Sequence, residues 1–400
     1  EGASFSDALF TSVSASCVTG LTTVDTAAYW TLFGQLVILA MIQVGGFGVI
    51  TVAVSLAALS GQRIGLMQRS LSKDAVSAPQ LDGIVPFLYF ILRLTFFIEF
   101  LGALFLAPSF CQKVGLLRGI YFAVFHSISS FCNAGFDLFG NSLMDFVGDP
   151  IVNVTVMLLI IAGGLGFTTW ADIRLNRGNF HAYTLQSKIA LTMTAALILI
   201  PGLFFFFFEL DPSTSLSEHF LISFFQSVTT RTAGYNTIDI KDFSETGRAA
   251  LIALMLIGGS PGSTAGGIKT TTAFTLFAIM IATFRLKKDP TCFSRRLSSE
   301  TQRHAVTILM MYLLLFASGS VLLNLIDGIR LIDSAFETAS ALGTVGLSIG
   351  VTDDLGPLSK YVMMLLMFFG RIGGLTVIFA AHAHSRQDSG RSPEERITIG

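Results

Sequence analysis

Charge is scarce in this 400-residue chain. Asp, Glu, Lys and Arg make up 13% of it, where a soluble domain carries about 25%. So few charges cannot clothe two or three water-facing domains, which excludes an ordinary soluble protein. Cysteine is equally sparse: Cys17, Cys111, Cys132 and Cys292 are too few to frame a disulfide scaffold, and none of their spacings matches a zinc site. A net charge of −1 leaves no basic excess for a nucleic-acid surface, so no nucleic-acid partner is expected. The G-x-G-x-x-G signature of a nucleotide fold is also missing, and no organic cofactor is expected in this chain. In place of these the chain is 52% hydrophobic, with 37 Phe and 38 Gly against two Trp. That balance fits close-packed membrane helices, where Gly lets backbones approach.

Seven hydrophobic runs are long enough to cross a hydrocarbon core, which takes about 20 residues. They are Leu32 to Leu59, Ile84 to Ala107, Ile151 to Ala171, Ile189 to Phe208, Leu251 to Phe284, Ala305 to Ile326 and Tyr361 to Ala381. The fifth is overlong. It is interrupted by Gly258-Gly259-Ser260-Pro261-Gly262-Ser263-Thr264-Ala265-Gly266-Gly267, which no regular helix accommodates, so two half-helices joined by an intramembrane loop are expected.

Lys and Arg near helix ends stay on the cytoplasmic side. Segments 60–83, 172–188, 285–304 and 382–400 hold 15 of the 25 basic residues, and the alternate segments hold 7. The alternate segments carry 17 of the 26 acidic residues. The first set is expected inside, with the C-terminus cytoplasmic, and the acidic outer face would concentrate cations.

The outer segments repeat. Each holds a Phe ten residues before a Gly, with small residues between: Phe10 to Gly20, Phe125 to Gly135, Phe224 to Gly234 and Phe336 to Gly346. In the third copy a one-residue deletion improves the match. Glycine pairs follow downstream at Gly45-Gly46, Gly163-Gly164, Gly258-Gly259 and Gly373-Gly374. Four copies in one topological place call for an all-α integral membrane fold of four pseudo-repeated units, each a helix, a re-entrant pore loop and a helix, around one central ion pore. The units expected are 1–60, 84–171, 189–284 and 305–381, with 382–400 a tail. Non-helical backbone at membrane depth must be buried or line a watery cavity. Glycine opens dihedrals that turn successive carbonyls one way, as in a ring that replaces an ion's hydration shell. The half-helices ahead of the loops would aim their partially negative C-terminal ends at that ring. The expected ligands are the carbonyls of Val18, Thr19, Gly20, Asn133, Ala134, Gly135, Thr232, Ala233, Gly234, Thr344, Val345 and Gly346, around a dehydrated monovalent cation.

Val18 to Asp25, Arg231 to Asn236, Ser260 to Thr270 and Phe336 to Gly350 carry a family resemblance. Over essentially its whole length the chain resembles the Trk/Ktr/HKT superfamily of potassium transporters, most closely the bacterial Ktr-type membrane subunit. The resemblance implies potassium uptake across a bacterial plasma membrane, potassium as the transported ion, and sodium as a candidate activator. It also implies a homodimer in membrane lipid, working on a cytoplasmic ring of nucleotide-binding regulatory subunits. The basic stretch Arg285 to Arg303 and the tail from Ser385 are the surfaces available for docking. In this family a helix precedes the first pore loop, and the sequence from Glu1 onward does not include it.

Residues 258–267 are expected to obstruct the path as a gate. Arg371, near the middle of the last run, costs at least ~2.5 kcal/mol to insert and must face a cavity or a partner. The resemblance makes it an electrostatic barrier in the ion path; an ion pair within the bundle is the alternative. Lys269 is expected at the edge of the loop, and Arg93 and Glu99 on different sides of one helix. His382 and His384 make at most a weak metal site. Two other functions compete. One is a sodium-selective or poorly selective cation carrier, since one Gly per copy makes a short filter. The other is an intramembrane serine hydrolase using Ser260. It is disfavoured because Pro261 has no N–H to serve as the oxyanion donor.

Overall fold

In hydrocarbon every backbone N–H and C=O must be bonded within its own segment, and the apolar runs accordingly fold as helices. The computed structural model describes residues 4–48, 84–209 and 215–374. In the first unit α1 (Phe5–Cys17) leads to the single turn α2 (Thr26–Tyr29) and to α3 (Leu32–Phe47). The second unit comprises α4 (Ile84–Val114), α5 (Leu116–Phe131), α6 (Pro150–Gly164) and α7 (Phe167–Asn176). The third comprises α8 (Leu185–Phe208), α9 (Leu216–Thr229), α10 (Glu245–Met255) and α11 (Thr270–Phe284). A hairpin of β1 (Thr291–Cys292) and β2 (Arg295–Arg296) leads to the fourth, α12 (Ser299–Asp327), α13 (Leu331–Gly343) and α14 (Pro357–Ile372). The fold is an all-helical membrane architecture of repeated units.

Among the described residues three helices are long and apolar enough to cross a membrane: Val85–Val114, Leu185–Phe208 and Ser299–Asp327. Each opens a unit and packs along the half-helix that follows it, α4 on α5, α8 on α9 and α12 on α13. Their outward faces carry Phe97, Phe100, Phe105, Phe207 and Leu314, all exposed, as lipid contact requires.

The closing helix of the second unit is interrupted as well as that of the third. The run Ile151 to Ala171 reads as one span, but α6 and α7 meet at a 94° bend. Gly166 makes the corner with φ 87° and ψ 139°, a conformation closed to other residues. Gly48 at the end of α3 (82°, 135°) and Gly373 at the end of α14 (79°, 146°) adopt the same dihedrals. In the third unit the ten-residue loop 258–267 takes the place of that corner. The runs continuing to Leu59 and Ala381, the tail 382–400, and His382 and His384 lie outside the described residues.

Neighbouring units are joined in a circle. α3 packs on α5, α6 on α9, α10 on α13, and α14 on α1, so each closing helix rests on the half-helix of the next unit. The last contact brings unit four back to unit one.

Candidate functional site

The four half-helices α1, α5, α9 and α13 end just short of the four repeat glycines. Two begin at matched caps: Ser4 Oγ accepts from Asp7 N–H and Ser215 Oγ from Glu218 N–H. Beyond each helix the backbone takes an unusual course. Val18, Asn133, Thr232 and Thr344 have φ of 57°, 60°, 67° and 51°. Two residues later Gly20, Gly135, Gly234 and Gly346 have 91°, 69°, 80° and 95°. The intervening Thr19, Ala134, Ala233 and Val345 keep negative φ. Such alternation turns successive carbonyls to one side. At the four non-glycine positions left-handed backbone costs about 1 kcal/mol each, and three of the four are β-branched. The same strain at the same place in four copies marks a functional constraint rather than a loop accident.

The glycines close a ring. A Cβ on Gly135 would lie 2.6 Å from the carbonyl of Ala233 and 3.2 Å from Cα of Gly234. Likewise a Cβ on Gly20 would strike the carbonyl of Ala134, one on Gly234 that of Val345, and one on Gly346 that of Thr19. Each glycine therefore abuts the carbonyl ahead of the next one, in the order one, two, three, four and back to one. No side chain larger than hydrogen fits between them.

Behind the ring the backbone settles the register of the third copy. Thr19, Ala134 and Val345 N–H donate to the carbonyls of Ser14, Ser129 and Ser340 at 2.9, 2.8 and 2.8 Å. In the third copy Ala233 N–H donates to Thr229 at 2.9 Å, one residue closer in sequence. That copy does lack one residue. The bonds also identify a column of hydroxyls that sequence reasoning missed: Ser14, Ser129, Thr229 and Ser340. In units one and four the hydroxyl accepts from the glycine N–H, Gly20 to Ser14 and Gly346 to Ser340, both at 3.1 Å. In units two and three it donates to the carbonyl after the glycine, Ser129 to Phe136 at 2.9 Å and Thr229 to Tyr235 at 2.5 Å. A Ser six residues before the glycine in three copies was the available signal.

The loop 258–267 lies against the residues that precede the glycines. Its Thr264 Oγ1 donates to the carbonyl of Phe131 at 3.1 Å. A Cβ on Gly266 would meet the side chain of Thr344, and one on Gly258 would come within 3.2 Å of Thr232 Cγ2. The loop thus reaches units two, three and four from one side. Its ends are clasped together, with Gly258 N–H on Ile268 O at 2.9 Å and Ile268 N–H on Leu256 O at 3.1 Å. Ser260 N–H donates to Gly164 O at 2.9 Å, and Gly262 O accepts from Phe167 N–H at 2.9 Å. Pro261 and Ser263 are half-buried; Gly259, Ala265 and Gly267 are buried. Lys269 Nζ donates to the Ala265 carbonyl at 2.5 Å, capping the loop.

Arg371 closes the remaining side. Its guanidinium donates to the carbonyls of Thr264 in the loop and of Gly45 and Gly46 at the end of α3. Among the described residues its partners are carbonyls rather than a carboxylate, which speaks against the ion-pair alternative. The glycine registers explain its position. A Cβ on Gly45 would strike the carbonyl of Ser16, one on Gly163 that of Phe131, and one on Gly370 that of Leu342. Gly370, not Gly373, is therefore the counterpart of Gly45 and Gly163. Arg371 occupies the place that Gly46 and Gly164 hold in units one and two.

Ser260 is buried, and its hydroxyl accepts from Thr270 Oγ1 at 3.1 Å. Glu99 is bonded by Gln43 Nε2 at 2.9 Å rather than by Arg93, which lies in an open groove beside Arg174. Among the described residues no group of three His, Cys, Asp or Glu side chains could hold a metal ion. The oxygens crowding the four glycines are backbone carbonyls, the ligand type that suits a weakly hydrated monovalent ion.

Residues 2–391 match the family model TrkH, described as cation transport protein. The potassium/sodium uptake protein NtpJ of Enterococcus hirae is 39% identical over 100% of this chain and 91% of that protein. The Ktr system potassium uptake protein B of Bacillus subtilis is 37% identical over 99% and 90%. Among solved structures, the potassium transporter TrkH from Vibrio parahaemolyticus superposes with a TM-score of 0.73 at 20% identity, covering 95% of this chain and 78% of that one.

Proposed function

The chain belongs to the TrkH family of cation transport proteins, and we propose that it takes up potassium through the ring of Gly20, Gly135, Gly234 and Gly346. The observation that carries this reading is the cyclic contact of each glycine with the carbonyl before the next, on backbone strained alike in all four copies. Carbonyl oxygens held in that way replace a hydration shell without any charged side chain. Relatives across the full length of the chain are named potassium uptake proteins. Their names speak for a transporter rather than an enzyme. Ser260 gives a hydrolase nothing to work with, since its partner is a hydroxyl and not a general base.

Below the ring, residues 258–267 and Arg371 form the gate. The loop occupies the path, and the Arg371 charge repels a cation leaving the ring. The basic segments face the cytoplasm, the C-terminus lies inside, and the protein sits in the plasma membrane as a homodimer. Regulation comes from a cytoplasmic nucleotide-binding ring, as the Ktr resemblance implies. A second reading, a carrier that admits sodium as well, is favoured by the potassium/sodium name of the Enterococcus relative.

Rubidium and sodium uptake into proteoliposomes separates the two readings. Wild type is expected to prefer rubidium, and Gly234→Ser to lose that preference, because its Cβ would strike the Val345 carbonyl at φ 80°. Equal uptake of both ions by wild type selects the second reading. No uptake of either ion, even with the cytoplasmic partner supplied, overturns the pore.

A further inference from the structure

With the third-copy deletion placed, one column of the repeat gains a meaning. Nine residues before the glycine stand Thr11, His126 and Glu337, and eight before it in the third copy stands Gln226. All four are buried polar side chains on half-helices. In two units the column reaches the strand that returns from the glycine, three residues beyond it. His126 Nε2 accepts from Leu138 N–H at 3.4 Å, its Nδ1 being 2.7 Å from the Phe122 carbonyl. Glu337 does more. Its Oε1 accepts from Ile349 N–H at 3.0 Å and from Ser348 Oγ at 2.7 Å, and its Oε2 accepts from Thr352 Oγ1 at 2.5 Å. Thr11 Oγ1 and both amide atoms of Gln226 have no hydrogen-bond partner.

The other returning strands are held from elsewhere. In unit one Thr23 Oγ1 donates to Asp7, which Lys360 of unit four also grips at 2.8 Å. In unit three Asn236 leans on the loop of unit two, through Ser142 Oγ at 3.0 Å and Leu143 N–H at 3.1 Å. Unit four alone among these is pinned by a buried carboxyl of its own half-helix, with three donors on two oxygens.

We propose that Glu337 is a positioning residue for ion selectivity: by clamping residues 348–352 it holds the carbonyls of Thr344 and Val345 in the ring. Thr344 is a β-branched residue at φ 51°, which relaxes toward ordinary dihedrals unless the chain on both sides of it is fixed. The end of α13 fixes the near side, Thr344 N–H donating to Ala341 O at 3.1 Å, and Ser340 takes the Gly346 N–H just beyond it. Glu337 fixes the far side with three hydrogen bonds on its two carboxyl oxygens. A loosened wall lets the ring shrink onto the smaller sodium ion, so selectivity falls before transport does.

The inference rests on the potassium reading above, and wild type tests that reading in the same experiment. Rubidium and sodium uptake would be measured in proteoliposomes of the full chain for wild type, Glu337→Gln, Thr352→Val and the double variant. Each single variant is expected to lower the rubidium-to-sodium ratio fivefold or more while still moving ions. The double variant should fall no further than the worse single one, because both break one clamp. A merely structural role would lower yield and total uptake and leave the ratio alone. Ratios within twofold of wild type in both singles, or a double variant showing the product of the two effects, overturn the proposal. Should Glu337→Gln not be recovered from the membrane, Thr352→Val, which keeps the volume and removes one donor, decides the matter by its own ratio. A wild type without rubidium preference defeats the potassium reading itself; a clamp failure leaves that preference intact.

Discussion

Arg371 and Thr264 are bound to each other, the guanidinium of α14 donating to the carbonyl of the loop that breaks the third unit. The other end of the same guanidinium holds Gly45 and Gly46 of the first unit. One side chain therefore ties units three, four and one together, and under the proposed function this makes it a latch on the gating loop as well as a barrier.

Arg371→Gln tests the latch. Glutamine keeps a donor but reaches at most one of the three carbonyls and carries no charge. Loss of a hydrogen bond to a charged group is worth about 1.5–3 kcal/mol, so the balance between blocked and open loop should move by about tenfold or more toward open. The expected result is faster rubidium uptake at saturating rubidium. An unaltered uptake curve would mean that the loop is not held by this residue.

Close approach of glycine to a carbonyl predicts stability rather than rate at Gly163. A methyl group there would strike the Phe131 carbonyl, with Thr264 Oγ1 only 2.7 Å away. Overpacking of this kind costs about 1–3 kcal/mol. Gly163→Ala in detergent should unfold several degrees below wild type, and an unchanged midpoint would show that α6 can shift without penalty.

The ring glycines were legible from sequence because only Gly serves at positive φ between crowded carbonyls, and the requirement left the same letter in four places. The half-helices were legible from their small-residue runs. Other features left weaker traces. Gly166 turns the second closing helix through 94°, yet in sequence it sits inside an apolar run like any packing glycine. The alignment of Arg371 with Gly46 and Gly164 was hidden because Gly373-Gly374 offers a better-looking glycine pair three residues on. Glu337 was invisible as a clamp, since its partners Ser348, Ile349 and Thr352 follow the glycine and their counterparts in the other copies bond elsewhere. A repeat shows in sequence where all copies obey one steric rule and fades where each copy meets a different neighbour.

Asp145, in the connection between α5 and α6, gives a pH prediction. Lys113 Nζ stands 2.6 Å from its Oδ2, both side chains partly exposed. The bond from Lys113 holds the Asp145 carboxyl below its ordinary value of 3.8, with Asn141 adding to the effect. A carboxyl with a lowered pKa stabilises the fold above its unfolded value and loses that contribution as the pH falls through the folded one. Solvent screening keeps the pair below about 1 kcal/mol. Lys113→Ala should therefore lower the unfolding midpoint slightly at pH 7, with the difference from wild type shrinking between pH 4 and pH 2. A difference that grows on acidification would contradict the sign.

The clasped ends of the intramembrane loop set how the proposed gate can be removed. Ile257 and Ile268 pair as a parallel bridge, with Gly258 N–H on Ile268 O at 2.9 Å. The chain entering and the chain leaving are side by side but run in the same direction, so 259–266 would be replaced by a short Gly-Ser linker that can turn back between Gly258 and Gly267. The excision also frees the Phe131 carbonyl from Thr264 and leaves Arg371 with its contacts to Gly45 and Gly46 alone. What remains is the ring with Gly258 still beside Thr232 and the Gly266 contact with Thr344 removed. The shortened protein should move rubidium faster than wild type while retaining its preference over sodium, because under the proposed function the discriminating carbonyls belong to the ring. Flux equal to wild type would show that the loop does not block the path. Faster flux with lost preference would show that the loop supports the ring as well as blocking it, through the contact of Gly266 with Thr344.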